Sequence, residues 1–258
     1  MRKMLYALLV VLLLFVLYGC DSANKKEYDK IDHTSGITGD VTGAGKKDPK
    51  ALVICLDPGH GGRWQGAIYH DREERDIVLE LAKEIRSYLN EHYPEIKVYL
   101  TREDNNVFSN DIGTDLRARV EFAKSCDADI LISLHLNASE NHNMHGSMVC
   151  ISKQPNINGI SVELADALLD ATEGLGLKRN GYETRNSTDT FDENGEPVDY
   201  YAICRHGASL DIPAVIFESC FMDHDTDYPY IETDEALKRL AEAEAEAMAQ
   251  FMLSHFPK

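Results

Sequence analysis

Residues 51–62 read ALVICLDPGHGG: an apolar run from Ala51 to Leu56, then Asp57, then a turn made of Pro58, Gly59, His60, Gly61 and Gly62. A strand with one wet face alternates apolar and polar side chains. An unbroken apolar run of strand length instead marks a strand covered on both faces, as in a parallel sheet. The pattern returns at ADILISLHL (128–136) and PAVIFES (213–219), with shorter strand-like runs at IKVYLT (96–101), GSMVCIS (146–152) and YYAIC (200–204). Between these runs, apolar residues fall at helical spacing. Ile77, Leu81, Ile85 and Leu89 do so within 73–91, and helices are also expected at 116–126 and 161–172. A closing helix spans 233–254, with Leu237, Leu240, Met248, Phe251 and Met252 on its buried face. Strands alternating with helices predict an α/β fold: a single three-layer domain, its largely parallel, twisted sheet of about six strands flanked by helices. The stretch 178–199, KRNGYETRNSTDTFDENGEPVD, breaks the alternation. It is polar, and long for a connection in a compact domain, as lids and binding loops are.

Upstream of this domain the chain changes character twice. Residues 1–20, MRKMLYALLVVLLLFVLYGC, set Arg2 and Lys3 before an uncharged apolar run, the layout of an export signal. The run ends in Leu17-Tyr18-Gly19-Cys20, similar to a bacterial lipobox, so Cys20 is expected to carry lipid and anchor the protein to a membrane. Residues 21–50 are polar and without apolar period, a flexible linker of roughly 30 Å reach. The folded domain is expected at 51–258, working outside the cytoplasm and facing the cell wall. Across the 258 residues, 44 Asp and Glu stand against 26 Lys and Arg, a net charge of −18 that excludes nucleic acid held by bulk attraction. Six cysteines are too few for a disulfide scaffold. Cys55, Cys150, Cys204 and Cys220 read as small buried hydrophobes.

In an α/β sheet, ligands bind beyond the carboxyl ends of the strands. Three strand ends here finish in side chains that bind metals or move protons: His60 after Asp57, His135 followed by Asn137, and Glu218. Glu74 opens the first helix, where the chain has just left the glycine turn. Two histidines and a carboxylate form a familiar zinc set with one position left for water, and a second carboxylate can carry that water's proton. Asp57 is a candidate for holding a ligand imidazole or the turn itself, and Asn137 and Arg205 for touching substrate. His142 and His145, in the polar loop after His135, read as loop residues rather than competing ligands.

ICLDPGHGG, EERDIVLELA, VYLTRED, LRARVEFAKSCDADILISLHLNAS and PAVIFESCFM, in that order, resemble the zinc-dependent N-acetylmuramoyl-L-alanine amidases, the amidase type 3 family. The resemblance covers residues 52–252. It implies one zinc ion held by His60, Glu74 and His135, with Glu218 as the catalytic glutamate. The implied reaction is hydrolysis of the amide between N-acetylmuramic acid and the L-alanine of the stem peptide, by zinc-activated water. Peptidoglycan is then the substrate, and a monomer is expected. Arg102 and Arg119 match family positions and read as structural. After Glu218 the family pattern has Gly-Phe and then Ser-Asn, whereas this chain has Cys220-Phe221-Met222-Asp223-His224. Two other classes use similar features: a zinc peptidase cutting within stem peptides, and a wall-binding module without catalysis.

Overall fold

The first strand, β1 (Leu52–Pro58), is buried along its whole length and feeds two cores at once. Leu52, Ile54 and Leu56 join one apolar cluster, while Cys55, pointing the other way, joins a second. The computed structural model describes residues 51–256. Residues 1–50, with the export signal, Cys20 and the linker, lie outside the described residues.

After β1 come a small hairpin of β2 (Ile68–Tyr69) and β3 (Arg72–Glu73), α1 (Glu74–His92), β4 (Ile96–Leu100), α2 (Ile112–Ser125), β5 (Ile130–Asn137) and β6 (Ser147–Cys150). Then follow α3 (Asn158–Gly174), β7 (Arg179–Glu183), β8 (Asn186–Phe191), β9 (Pro197–Asp199), α4 (Ala202–Ser209) and β10 (Ala214–Phe221). A 3-10 turn at Tyr228–Tyr230 leads into α5 (Asp234–His255). Six strands form the central sheet in the order β4-β1-β5-β10-β6-β7. The first four run parallel, β6 is antiparallel to β10, and β7 is parallel to β6.

Three layers follow from the two cores. Ile77, Leu81, Ile85 and Leu89 of α1 pack with Leu164 and Leu168 of α3 and Leu240 and Met248 of α5 on one face. Val120 and Ala123 of α2 pack with Ile203 of α4 on the other. Asp111 caps α2 by accepting from the Thr114 N–H, and Thr233 caps α5 by accepting from Ala236. Such caps satisfy backbone donors that a helix start leaves open. No helix of the described residues is long and apolar enough to cross a membrane.

Two expectations change here. The run at 200–204 is not a strand but the entry to α4. Ile203, Cys204 and Gly207 are its buried residues, the spacing of one helical face. Gly207 permits the contact with β10, since a Cβ there would meet the Ala214 Cβ at 2.4 Å. The sixth strand of the sheet comes instead from the polar stretch 178–199. Its residues 179–183 alternate between half-buried and exposed, as an edge strand does, and so carry no apolar run. Beyond it, β8 and β9 form a separate hairpin fastened at its foot. Lys153 Nζ donates to Asn186 Oδ1 and to the Pro197 carbonyl, while Asp199 accepts from Ser152 Oγ and the Lys153 N–H.

Because β1, β5 and β10 are parallel neighbours, their carboxyl ends share one edge. Asp57 lies beside Ser133, and Glu218 beside His135.

Candidate metal centre

Three side chains from three elements meet at that edge. His60 Nε2 lies 2.9 Å from Glu74 Oε1, and His135 Nδ1 lies 3.0 Å from the same oxygen. The two imidazole nitrogens are 3.1 Å apart. A tetrahedral zinc ion with bonds of about 2.0–2.1 Å spaces its ligands by about 3.3 Å. The donor set and its spacing therefore fit one such ion. Among the described residues this is the one group of three or more His, Cys, Asp or Glu side chains placed to hold a metal.

The local sequence explains how the residues get there. His60 has φ +63, a left-handed conformation that a non-glycine residue adopts at a cost and that the surrounding turn must impose. The His135 ring lies on the bare α-carbon of Gly59, where a Cβ would come within 2.3 Å of Cε1 and Nε2. Gly66 (φ +72) similarly lets the chain pass Glu74, since a Cβ there would sit 2.4 Å from Oε2. Glu74 itself is 4% exposed and accepts from the Ala67 N–H at Oε2 and the Leu136 N–H at Oε1. Burial alone would raise its carboxyl, but hydrogen bonds from His135 and His60 hold it well below the usual carboxylate range.

The turn is braced from behind by two arginines. Arg102 donates to the carbonyls of Pro58, Gly59 and Arg75. Arg119 donates to the carbonyls of Pro58 and His60, and ion-pairs with Asp57 at 2.8 Å and Asp115 at 2.7 Å. Asp57 does not touch either imidazole. It accepts from Thr101 Oγ1 at 2.5 Å, Ser133 Oγ at 2.6 Å and Arg119 Nη1 at 2.8 Å, so it serves the turn through Arg119.

Glu218 stands apart from these networks. It is half-buried, sits beside His135 on the neighbouring strand, and its carboxylate has no hydrogen-bond partner among the described residues. Burial pushes its carboxyl up to about 7; the His135 charge opposes this, and Glu74 and Glu183 add to it. An ionisable group poised near neutrality and uncommitted to any partner suits proton transfer.

The other expected residues are placed differently. Asn137 ends β5 and turns inward on its own loop, accepting from the Ala138 N–H while its amide points at the Met148 sulfur. Arg205 lies on α4, and its guanidinium donates to the carbonyls of Asp199 and Tyr200, not into the cluster. His142 pairs with Asp223 at 2.8 Å, and His145 stacks on His224. The His142–Asp223 pair escaped the sequence reading, although Asp223-His224 had marked a departure from the family pattern.

Two imidazoles, a buried carboxylate and a free carboxylate at the edge of a largely parallel sheet have the composition of a hydrolytic metal centre. The chain belongs to the N-acetylmuramoyl-L-alanine amidase family of type 3, whose sequence pattern matches residues 54–250. Among curated relatives, an endolysin of Bacillus phage SPP1 is 27% identical over 202 residues, covering 78% of this chain and 66% of the relative. The N-acetylmuramoyl-L-alanine amidase AmiC of Escherichia coli O6:H1 is 38% identical over 107 residues, covering 41% of this chain and 24% of the relative. This chain thus spans under two thirds of either. A crystal structure of an N-acetylmuramoyl-L-alanine amidase from Clostridium difficile 630 shares the fold, with a TM-score of 0.64 at 23% identity over 80% of this chain and 99% of that one.

Proposed function

We propose that this chain hydrolyses the amide joining the lactyl group of N-acetylmuramic acid to the L-alanine of the peptidoglycan stem peptide. In this reading His60, Glu74 and His135 hold one zinc ion and Glu218 is the general base. The observation that carries it is the meeting of His60, Glu74 and His135 within about one ligand spacing, beside a carboxylate with no other task. Family membership over residues 54–250 supplies the bond.

Zinc in such a site lowers the pKa of a bound water towards about 7 and polarises the carbonyl under attack. The residues supply the rest. Glu74, held below the usual carboxylate range, offers the ionised oxygen that a metal ligand needs. Arg102 and Arg119 fix the carbonyls of the 58–60 turn and so fix His60. Glu218 accepts the proton of the attacking water at a carboxylate oxygen and returns it to the nitrogen of the departing alanine, which leaves as an amine.

The same reading places the domain outside the cytoplasm. Residues 1–20 would direct export, lipid on Cys20 would hold the protein at a membrane, and 21–50 would let the 51–258 domain reach the wall as a monomer. The charged start, apolar run and Cys20 support this.

Mass spectrometry of digested peptidoglycan tests the bond. Free stem peptides beginning with L-alanine are expected, whereas cuts within stems would make the chain a peptidase. Glu218→Gln should keep the wild-type zinc content and lose about 10²–10⁴ in rate, the weight of a general base. An unchanged rate would remove Glu218 from the mechanism.

A further inference from the structure

Each element of the metal centre hands its chain to a loop, and the three loops meet again on one side of the site. Ala67, whose N–H binds Glu74, leads directly into the β2–β3 hairpin. β5 ends two residues after His135 and passes into the loop carrying His142. β10 passes into 222–227, with the Met222 N–H donating to the Asn137 carbonyl and prolonging the pairing of the two strands.

Where the loops meet, four rings gather. Tyr69 lies edge-on to Tyr228 at 5.3 Å and to His70 at 4.2 Å, and the His142 ring is 6.2 Å away. Two carboxylates lie against them. Asp225 faces the Tyr69 hydroxyl at 3.4 Å. Asp223 is 5% exposed and accepts from the Ser139 N–H and His142 Nδ1, both at 2.8 Å, through a single oxygen. Its other oxygen, Oδ1, is buried with no donor among the described residues.

Asp223 therefore fixes the His142 ring. With Nδ1 turned to the carboxylate, Nε2 is the ring nitrogen left for a ligand, on a side chain 61% exposed. His142 itself is held at φ +52, so the loop imposes this presentation on it.

We propose that Tyr69, His142 and Tyr228, over Asp223, form a saccharide subsite that grips the glycan strand on the muramic acid side of the scissile amide. This rests on the amidase reading above. Aromatic faces pack against the C–H faces of pyranose rings, while the His142 imidazole and the exposed Asp225 carboxylate take the hydroxyl and acetamido N–H donors that a sugar offers, Asp223 acting only by holding the ring. The peptide half of the substrate is the poorer match, because its carboxylates would face Asp223 and Asp225.

The probe is the β-1,4-linked tetramer of N-acetylglucosamine, which has the backbone of the glycan strand and no carboxylate. Calorimetric titration into the zinc-loaded protein should show binding by the wild type, weakened about fivefold or more in His142→Ala, the weight of one lost hydrogen bond. Asp223→Asn, which replaces the charged acceptor of the His142 Nδ1 bond by a weaker neutral amide oxygen, should weaken binding in the same direction and by less. Zinc content should be unchanged in both variants. Equal binding by wild type and variants, or no binding by the wild type, overturns the proposal. So does displacement of the tetramer by a free stem peptide carrying a side-chain amine. If the wild type releases alanine-ended peptides from peptidoglycan yet ignores the tetramer, only the subsite falls. If it releases none, the amidase reading falls first.

Discussion

The ends of β1 and β10 both have a buried acid close by, and the two acids could hardly be treated more differently. Asp57, 1% exposed, has three donors, and although burial alone would raise its carboxyl, the Arg119 charge and hydrogen bonds from Ser133 and Thr101 hold it below the ordinary range. Glu244 of α5, fully buried in the apolar core, has no hydrogen-bond partner for either oxygen among the described residues. Burial pushes its carboxyl up to about 8, and the nearby Ser219 hydroxyl, itself without a hydrogen-bond partner, pulls the other way. Depth is the same in both places; partners decide whether the charge is kept or given up.

The harshest way to break this contrast is Asp57→Ala. It leaves the Arg119 guanidinium, ion-paired at 2.8 Å in the wild type, buried beside a hole. Losing one partner of a buried pair costs about 3–5 kcal/mol. Urea unfolding at pH 7 should show a loss near the lower figure, because Asp115 still binds Arg119. A loss below about 1 kcal/mol would mean that the brace carries little of the turn.

A smaller effect, with a sign of its own, belongs to Glu244. Its folded pKa of about 8 lies above the 4.5 of an unperturbed glutamate, so folding favours the protonated form. That contribution is complete below about pH 4.5 and drains away as pH rises to about 8, at roughly 1.4 kcal/mol per unit between the two values. Glu244→Gln has no proton to lose, so its urea midpoint should pass that of the wild type by pH 8.5. Parallel pH profiles for the two proteins would show that Glu244 is not held neutral.

The gentlest comparison sets single hydroxyls against each other. Thr101→Val strips one donor from Asp57 and should cost about 1–3 kcal/mol, whereas Ser219→Ala removes an unpaired hydroxyl and should stay within about 0.5 kcal/mol. Equal costs would erase the distinction between the two strand ends.

The same contrast separates what was legible in the chain from what was not. β1, β5 and β10 announce themselves because strands covered on both faces must be apolar throughout, and His60, His135 and Glu218 sit where those runs stop, whereas Glu74 opens α1. β7 is silent because an edge strand needs no apolar run, and the start of α4 reads as a strand because five residues, YYAIC, are too few to show a period. Asp57 was legible as important but not as to its partner, since Arg119 lies 62 residues further on. Glu244 hides in AEAEAEAMAQ, where alternating alanine and glutamate do not advertise which acid turns inward. A signal did exist: Glu244 lies four residues from both Leu240 and Met248, on the face they bury.

The foot of the β8–β9 hairpin has a practical consequence. Lys153 and Asp199 close it where it leaves the sheet, and residues 188–196 beyond are exposed throughout. That makes 188–196 a natural port for engineering, where a recognition peptide or fluorescent tag can be spliced in while the edge that carries His60, Glu74 and His135 keeps its shape.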